Sequence, residues 1–157
     1  MNEYSVPITP LRVELLLTDG RTVEGDIFLP SKSPVRDGAM LAGEWANLAP
    51  TFIPVRPAVG HEVMLVNRQQ VVAIALPPGV AAHDPLEVLD APVHHVAFEL
   101  AGGRRLDGGL TVAMPRHQQR VVDWLNNSDT YATIDVDGRA HLVQKAHILR
   151  IVELERR

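Results

Sequence analysis

Apolar and polar residues nearly alternate from Leu11 to Leu17, with Leu11, Val13, Leu15 and Leu17 separated by single positions. Period-two spacing puts these side chains on one face of an extended chain and predicts a half-buried strand over 11–17. A second apolar run, Thr22–Leu29, follows across Thr18-Asp19-Gly20-Arg21. Asp-Gly between two such runs signals a hairpin, because Gly accepts the positive φ of a tight turn. Gly25 falls inside the second run, where a glycine marks a bulge or sharp bend.

The pattern then returns. Leu15–Pro30, LLLTDGRTVEGDIFLP, is answered by Phe98–Pro115, FELAGGRRLDGGLTVAMP, and Arg21-x-x-x-Gly25 by Arg104-x-x-x-Gly108. Glu44-Trp45-Ala46-Asn47 matches Asp123-Trp124-Leu125-Asn126, and Phe52 and Tyr131 stand at the same distance after the two tryptophans. Val63–Arg68 matches Ala140–Lys145. Apolar runs predict further strands at Thr51–Val55, Glu62–Asn67 and Val71–Leu76, with Arg68-Gln69-Gln70 as a tight connection. The later half predicts strands at Val93–Leu100, Arg104–Met114, Tyr131–Val136, His141–Val143 and Ile148–Val152. Helical spacing predicts short helices within Gly38–Asn47 and His117–Asn126. Met1–Pro10 reads as a lead-in, and Pro77–Pro92, with four prolines, as a connection. The charged tail Glu153–Arg157 is expected to fray. The organisation that results is a first unit over 11–77, a linker over 78–92 and a second unit over 93–154. The fold class is mainly β: two tandem small antiparallel SH3-like barrels, each with a short helical insert after its second strand.

These residues resemble a known family. The pattern Val13, Leu15, Asp19-Gly20-Arg21, Gly25 is similar to the first strands of Sm-like domains. Val66-Asn67-Arg68-x-x-Val71 and Val143-Gln144-Lys145-x-x-Ile148 resemble the turn between their last two strands. The nearer likeness is to uncharacterised bacterial Sm-like domain proteins. It implies a tandem pair of Sm-like barrels and assigns no chemistry. The final turns read Arg68-Gln69 and Lys145-Ala146, where RNA-binding members carry Arg-Gly or Lys-Gly.

Composition narrows the function. Apolar residues make up 46% of the 157, enough for a core, but aromatics only 4%, so Val, Leu, Ile and Ala must fill it. The net charge is -4, and it is shared: residues 1–77 hold 6 Lys+Arg against 8 Asp+Glu, the remainder 9 against 11. Neither half is basic, which disfavours a general nucleic-acid binder. With no cysteine there is no disulfide framework or thiolate site. No apolar run approaches a membrane span, and MNEYSVPITP lacks the basic start of a signal peptide. A cytoplasmic protein with no membrane contact is the expectation.

Catalytic motifs are missing: there is no phosphate loop, nucleophile elbow or zinc helix. Adjacent His94 and His95 face opposite sides of a strand, and Asp135-x-Asp137-Gly138 lacks the distal Glu of a calcium loop. No catalytic residue, metal or cofactor is assigned. Trp45 and Trp124 are read as plugs for the ends of the barrels. The leading expectation is a non-enzymatic interaction or assembly module acting through sheet edges or grooves, with a protein partner or self-association, pairing pseudo-twofold units or closing a ring. The alternative is RNA or nucleotide binding through Asn67, Arg68, Gln144 and Lys145, with Arg21 and Arg104 adding a basic rim. An enzyme with histidine chemistry ranks last.

Overall fold

A computed structural model describes residues 8–35, 37–60, 62–115 and 119–154. The first half forms β1 (Ile8–Leu17), β2 (Thr22–Pro30), helix α1 (Ala42–Leu48), β3 (Phe52–Pro57), β4 (Met64–Asn67) and β5 (Val71–Ala75). The second half forms β6 (Val93–Leu100), β7 (Arg105–Thr111), helix α2 (Val121–Leu125), β8 (Tyr131–Val136), β9 (Arg139–Gln144) and β10 (Ile148–Glu153). Arg68–Gln70 and Lys145–His147 are single 3₁₀ turns. Both helices follow the second strand of their half, as expected. Ile8–Pro10, read as lead-in, already belongs to β1. Residues 1–7 of the lead-in, His117 and Gln118 of the second predicted helix and 155–157 of the tail lie outside the described residues.

The two halves match strand for strand. Val13 faces Gly25 across the first hairpin, and Val96 faces Gly108 across the second; Leu11 faces Ile27, and His94 faces Leu110. Phe52 pairs with Asn67, and Tyr131 with Gln144. Leu15 pairs with Ile74, and Phe98 with Ile151; both of these ladders slip register near their ends. The hairpin tips also agree. Each is a three-residue loop with Gly at its last position, Gly20 (φ 87°) and Gly103 (φ 80°), closed by Leu17 N–H to Arg21 O and by Leu100 N–H to Arg104 O. This is the longer of the common hairpin loops, not the two-residue turn.

The strands form one open antiparallel sheet in the order β10-β6-β7-β8-β9-β5-β1-β2-β3-β4. The sequence predicts two tandem barrels and leaves their mutual packing open; the halves share a single open sheet, because β5 pairs with β9. Each half contributes the same internal order, and the two follow one another in the same direction. The relation is head-to-tail and not the pseudo-twofold the duplication suggested.

Two hydrophobic clusters fill the halves, and both cross the joint. The first-half core around Leu15, Ile27 and Ile74 takes in Tyr131 and Leu142 from the second half. The second-half core around Phe98, Leu110 and Ile134 takes in Val72 and Ala73 from the first. Trp45 is buried in the first cluster, whereas Trp124 is only partly covered in the second.

Candidate functional site: the joint and the open edges

The joint between the halves begins with β5, whose five residues are all buried. It pairs antiparallel with β9: Ala73 with Val143, Ile74 with Leu142, Ala75 with His141. Beside this ladder, Tyr131 and Leu142 are buried in one cluster with Ala42, Trp45 and Ala46 of α1 and Val71 and Ile74 of β5. Asn47, in the last turn of α1, fastens the contact. Its Oδ1 accepts from the backbone N–H of Thr130 at 2.8 Å and of Tyr131 at 3.1 Å, while its Nδ2 donates to the Gly43 carbonyl at 2.9 Å. One side chain thus satisfies two backbone donors at the start of β8. Burial pushes the Tyr131 hydroxyl up to about 12, with Arg68 opposing the shift.

The residues predicted to bind a partner or RNA are drawn toward this joint. Asn67 Oδ1 accepts from the Gln69 N–H at 3.0 Å and so caps its own turn. Gln144 is buried, with its amide nitrogen oriented toward the carbonyls of Arg68 (3.1 Å) and Val71 (2.8 Å). Arg68 Nε is buried and has no partner among the described residues. Lys145 Nζ donates to Asn127 Oδ1 at 2.7 Å and to the Asn127 carbonyl at 3.2 Å, and burial lowers its pKa. Arg21 pairs with Asp19 at 2.6 Å, and Arg104 donates to the Gly20 carbonyl at 2.9 Å, linking the two hairpin tips. Asn67-Arg68 and Gln144-Lys145 therefore lie at adjoining ends of the joint, with Asn67 Oδ1, the Gln144 amide nitrogen and Lys145 Nζ each facing a partner within the chain.

The ends of the sheet are open. Among the described residues β4 and β10 each have one strand neighbour, and they correspond to the two strands that meet at the joint. Tyr131 is 4% exposed and its counterpart Phe52 is 55%. Leu142 is 1% exposed and its counterpart Leu65 is 69%. Val72, on β5, is 1% exposed and its counterpart Leu149, on β10, is 71%. Beside β10 lies a shallow groove of about 410 Å³, lined by Val121, Leu125, Asn126, Ile148 and Ile151 among others. By the repeat, Val121, Leu125, Ile148 and Ile151 correspond to Ala42, Ala46, Val71 and Ile74, which share a buried cluster with Tyr131 and Leu142.

Comparison with protein-family models, curated proteins and solved structures finds no match.

A larger cavity, about 590 Å³, lies between residues 79–88 and the face of β7, β8 and α2. Some of its polar groups are engaged within the chain. A ring nitrogen of His83 shares a hydrogen bond with Thr133 Oγ1 at 2.7 Å, and burial lowers the histidine's pKa. Asp135 Oδ1 accepts from Gly138 N–H at 3.1 Å, closing the Asp137-Gly138 turn, where both residues have positive φ. Among the described residues no three His, Asp or Glu side chains are placed to hold a metal ion, and no helix is long and apolar enough to cross a membrane. The groups that build the joint, Asn47, Tyr131 and Leu142, were not singled out as a site from the sequence. The signal was present: Asn47 and Asn126 recur beside the two tryptophans.

Proposed function

We propose that the chain is two Sm-like modules in tandem, over 11–77 and 93–154 with 78–92 between them, and that it works as a non-enzymatic assembly module through its sheet edges. The observation that carries this reading is the contrast between the joint and the ends. The same pair of edges that is sealed once inside the chain is left open at both ends of the sheet. Unpaired strand edges are templates for pairing with another chain. Unlike edges on one molecule make contacts that propagate or close into rings. Two of the exposed apolar residues lie on these edge strands, Leu65 on β4 and Leu149 on β10, and Phe52 lies beside β4 on β3; others, such as Val59, Leu86 and Leu89, lie elsewhere.

Light scattering over a wide range of protein concentration tests the reading. Molar mass should rise reversibly with concentration, and Leu65→Lys, which places a charge on the β4 edge, should hold the protein at monomer mass. A wild-type protein that stays strictly monomeric up to its solubility limit ends the proposal.

A further inference from the structure

The cavity of about 590 Å³ under residues 79–88 lies on the face of β7 and β8 opposite the core residues Leu110, Val112 and Ile134, and the repeat shows how it arises. Gly109 and Asp135 pair across β7 and β8 at the register that Asp26 and Arg56 take across β2 and β3. In the first half this face is covered by its own side chains. Arg56 donates to Asp26 Oδ2 at 2.7 Å and lies over the Phe28 ring, 5.6 Å from its centre. In the second half Gly109, Thr111 and Asp135 hold the places of Asp26, Phe28 and Arg56. Two larger side chains are thereby lost, and a guanidinium gives way to a carboxylate. Residues 79–88 then roof the space. The Ala82 carbonyl accepts from Gly43 N–H at 2.8 Å, and the hydrogen bond between His83 and Thr133 Oγ1 ties the roof to β8.

We propose that this cavity binds a linear aliphatic polyamine. It runs along β8, from Asp129 and Lys145 at one end to Asp135 and Gly138 at the other. Tyr131 to Asp135 alone is four strand rises, about 13 Å. Val80, Val88, Ala113 and Leu125 give it apolar walls that suit methylene groups. Three carboxylates line it, Glu87, Asp129 and Asp135, against one lysine. The Glu87 and Asp129 carboxylates accept no hydrogen bond among the described residues, whereas Lys145 Nζ already donates to Asn127. His83 adds no charge at neutral pH, because burial outweighs the pull of Asp129, Glu87 and Glu44. A methylene chain with an ammonium at each end therefore meets carboxylates at both ends, and it supplies the cation that Arg56 supplies in the first half. A phosphate-bearing ligand would meet charge of its own sign.

Isothermal titration calorimetry of the full chain with spermidine at low salt should show saturable one-to-one binding that weakens as salt rises. Butylamine, with a single ammonium, should bind about tenfold more weakly, since it gains nothing from a second end. Asp135→Asn keeps an acceptor for the Gly138 N–H, which Asp135 Oδ1 receives at 3.1 Å, and should raise the dissociation constant several-fold. Asp129→Asn, at an exposed position, should do the same. Thr111→Phe, which restores the residue of the first half, should abolish binding while the circular dichroism spectrum stays that of the wild type. A chain with net charge -4 attracts any polycation, so binding that survives all three substitutions is general attraction and overturns the proposal. Spermidine bound no more tightly than butylamine, adenosine monophosphate bound more tightly than spermidine, or no binding of spermidine at all overturns it too.

Discussion

Gly25 and Gly108 occupy matched places in β2 and β7, and each is required by the strand that passes over it. A Cβ at Gly25 would lie 2.6 Å from the Arg56 carbonyl oxygen, and one at Gly108 would lie 2.1 Å from that of Asp135. Both obstacles are backbone and cannot swing aside. Gly108→Ala should therefore lower stability by about 2–3 kcal/mol, the range for overpacking a closed site, as read by urea unfolding. Gly138 (φ 81°) has open space around it, so Gly138→Ala meets only backbone strain and should cost less, about 1 kcal/mol. The sequence displayed these glycines as interruptions in apolar runs, and a bend was readable from that. Which atom demands the bend was not, because the crossing strands are distant in sequence.

Among the elements, α1 and β5 show how one small contact closes a large one. Two backbone donors at the head of β8 end on Asn47, and with alanine there they lose their acceptor at a partly buried position. Asn47→Ala should lower unfolding free energy by about 1–2 kcal/mol, whereas Asn126→Ala, exposed in the single chain, should leave it unchanged in dilute protein. Denaturant titration of the two variants at one low concentration checks both. Most strands were legible from alternation or apolar runs, and the unbroken run Val71–Ala75 suits a strand buried on both faces. The partner of that strand was not legible. Hydrophobic pattern says that β5 is covered but not by what, since backbone donors and acceptors carry no address. The surroundings of the turn residues Gln144 and Lys145 were not legible for a related reason: the carbonyls of Arg68 and Val71 and the side chain of Asn127, which they face, are brought to them only by the packing.

At the scale of the molecule, two core clusters each borrow side chains from the other half. Neither half can lose its structure without stripping cover from the other. Thermal unfolding of the whole chain should accordingly be a single transition, with the calorimetric and van 't Hoff enthalpies equal; two resolved transitions would mean the joint contributes little. The doubled pattern was visible in the sequence, but the continuity of the sheet was not, because a duplication fits two separate barrels as well as one shared sheet.

Residues 77–92 link the halves covalently, with the Ala82 carbonyl accepting from Gly43 N–H on the way. This tether gives the contact inside the chain the high effective concentration of an intramolecular encounter, fixed by the span of the loop and indifferent to dilution. A contact between separate molecules has no such advantage and must surrender translational freedom each time it forms. For the assembly proposed above, dilution is therefore expected to release intact two-part units, because only the contact between molecules answers to the amount of protein present.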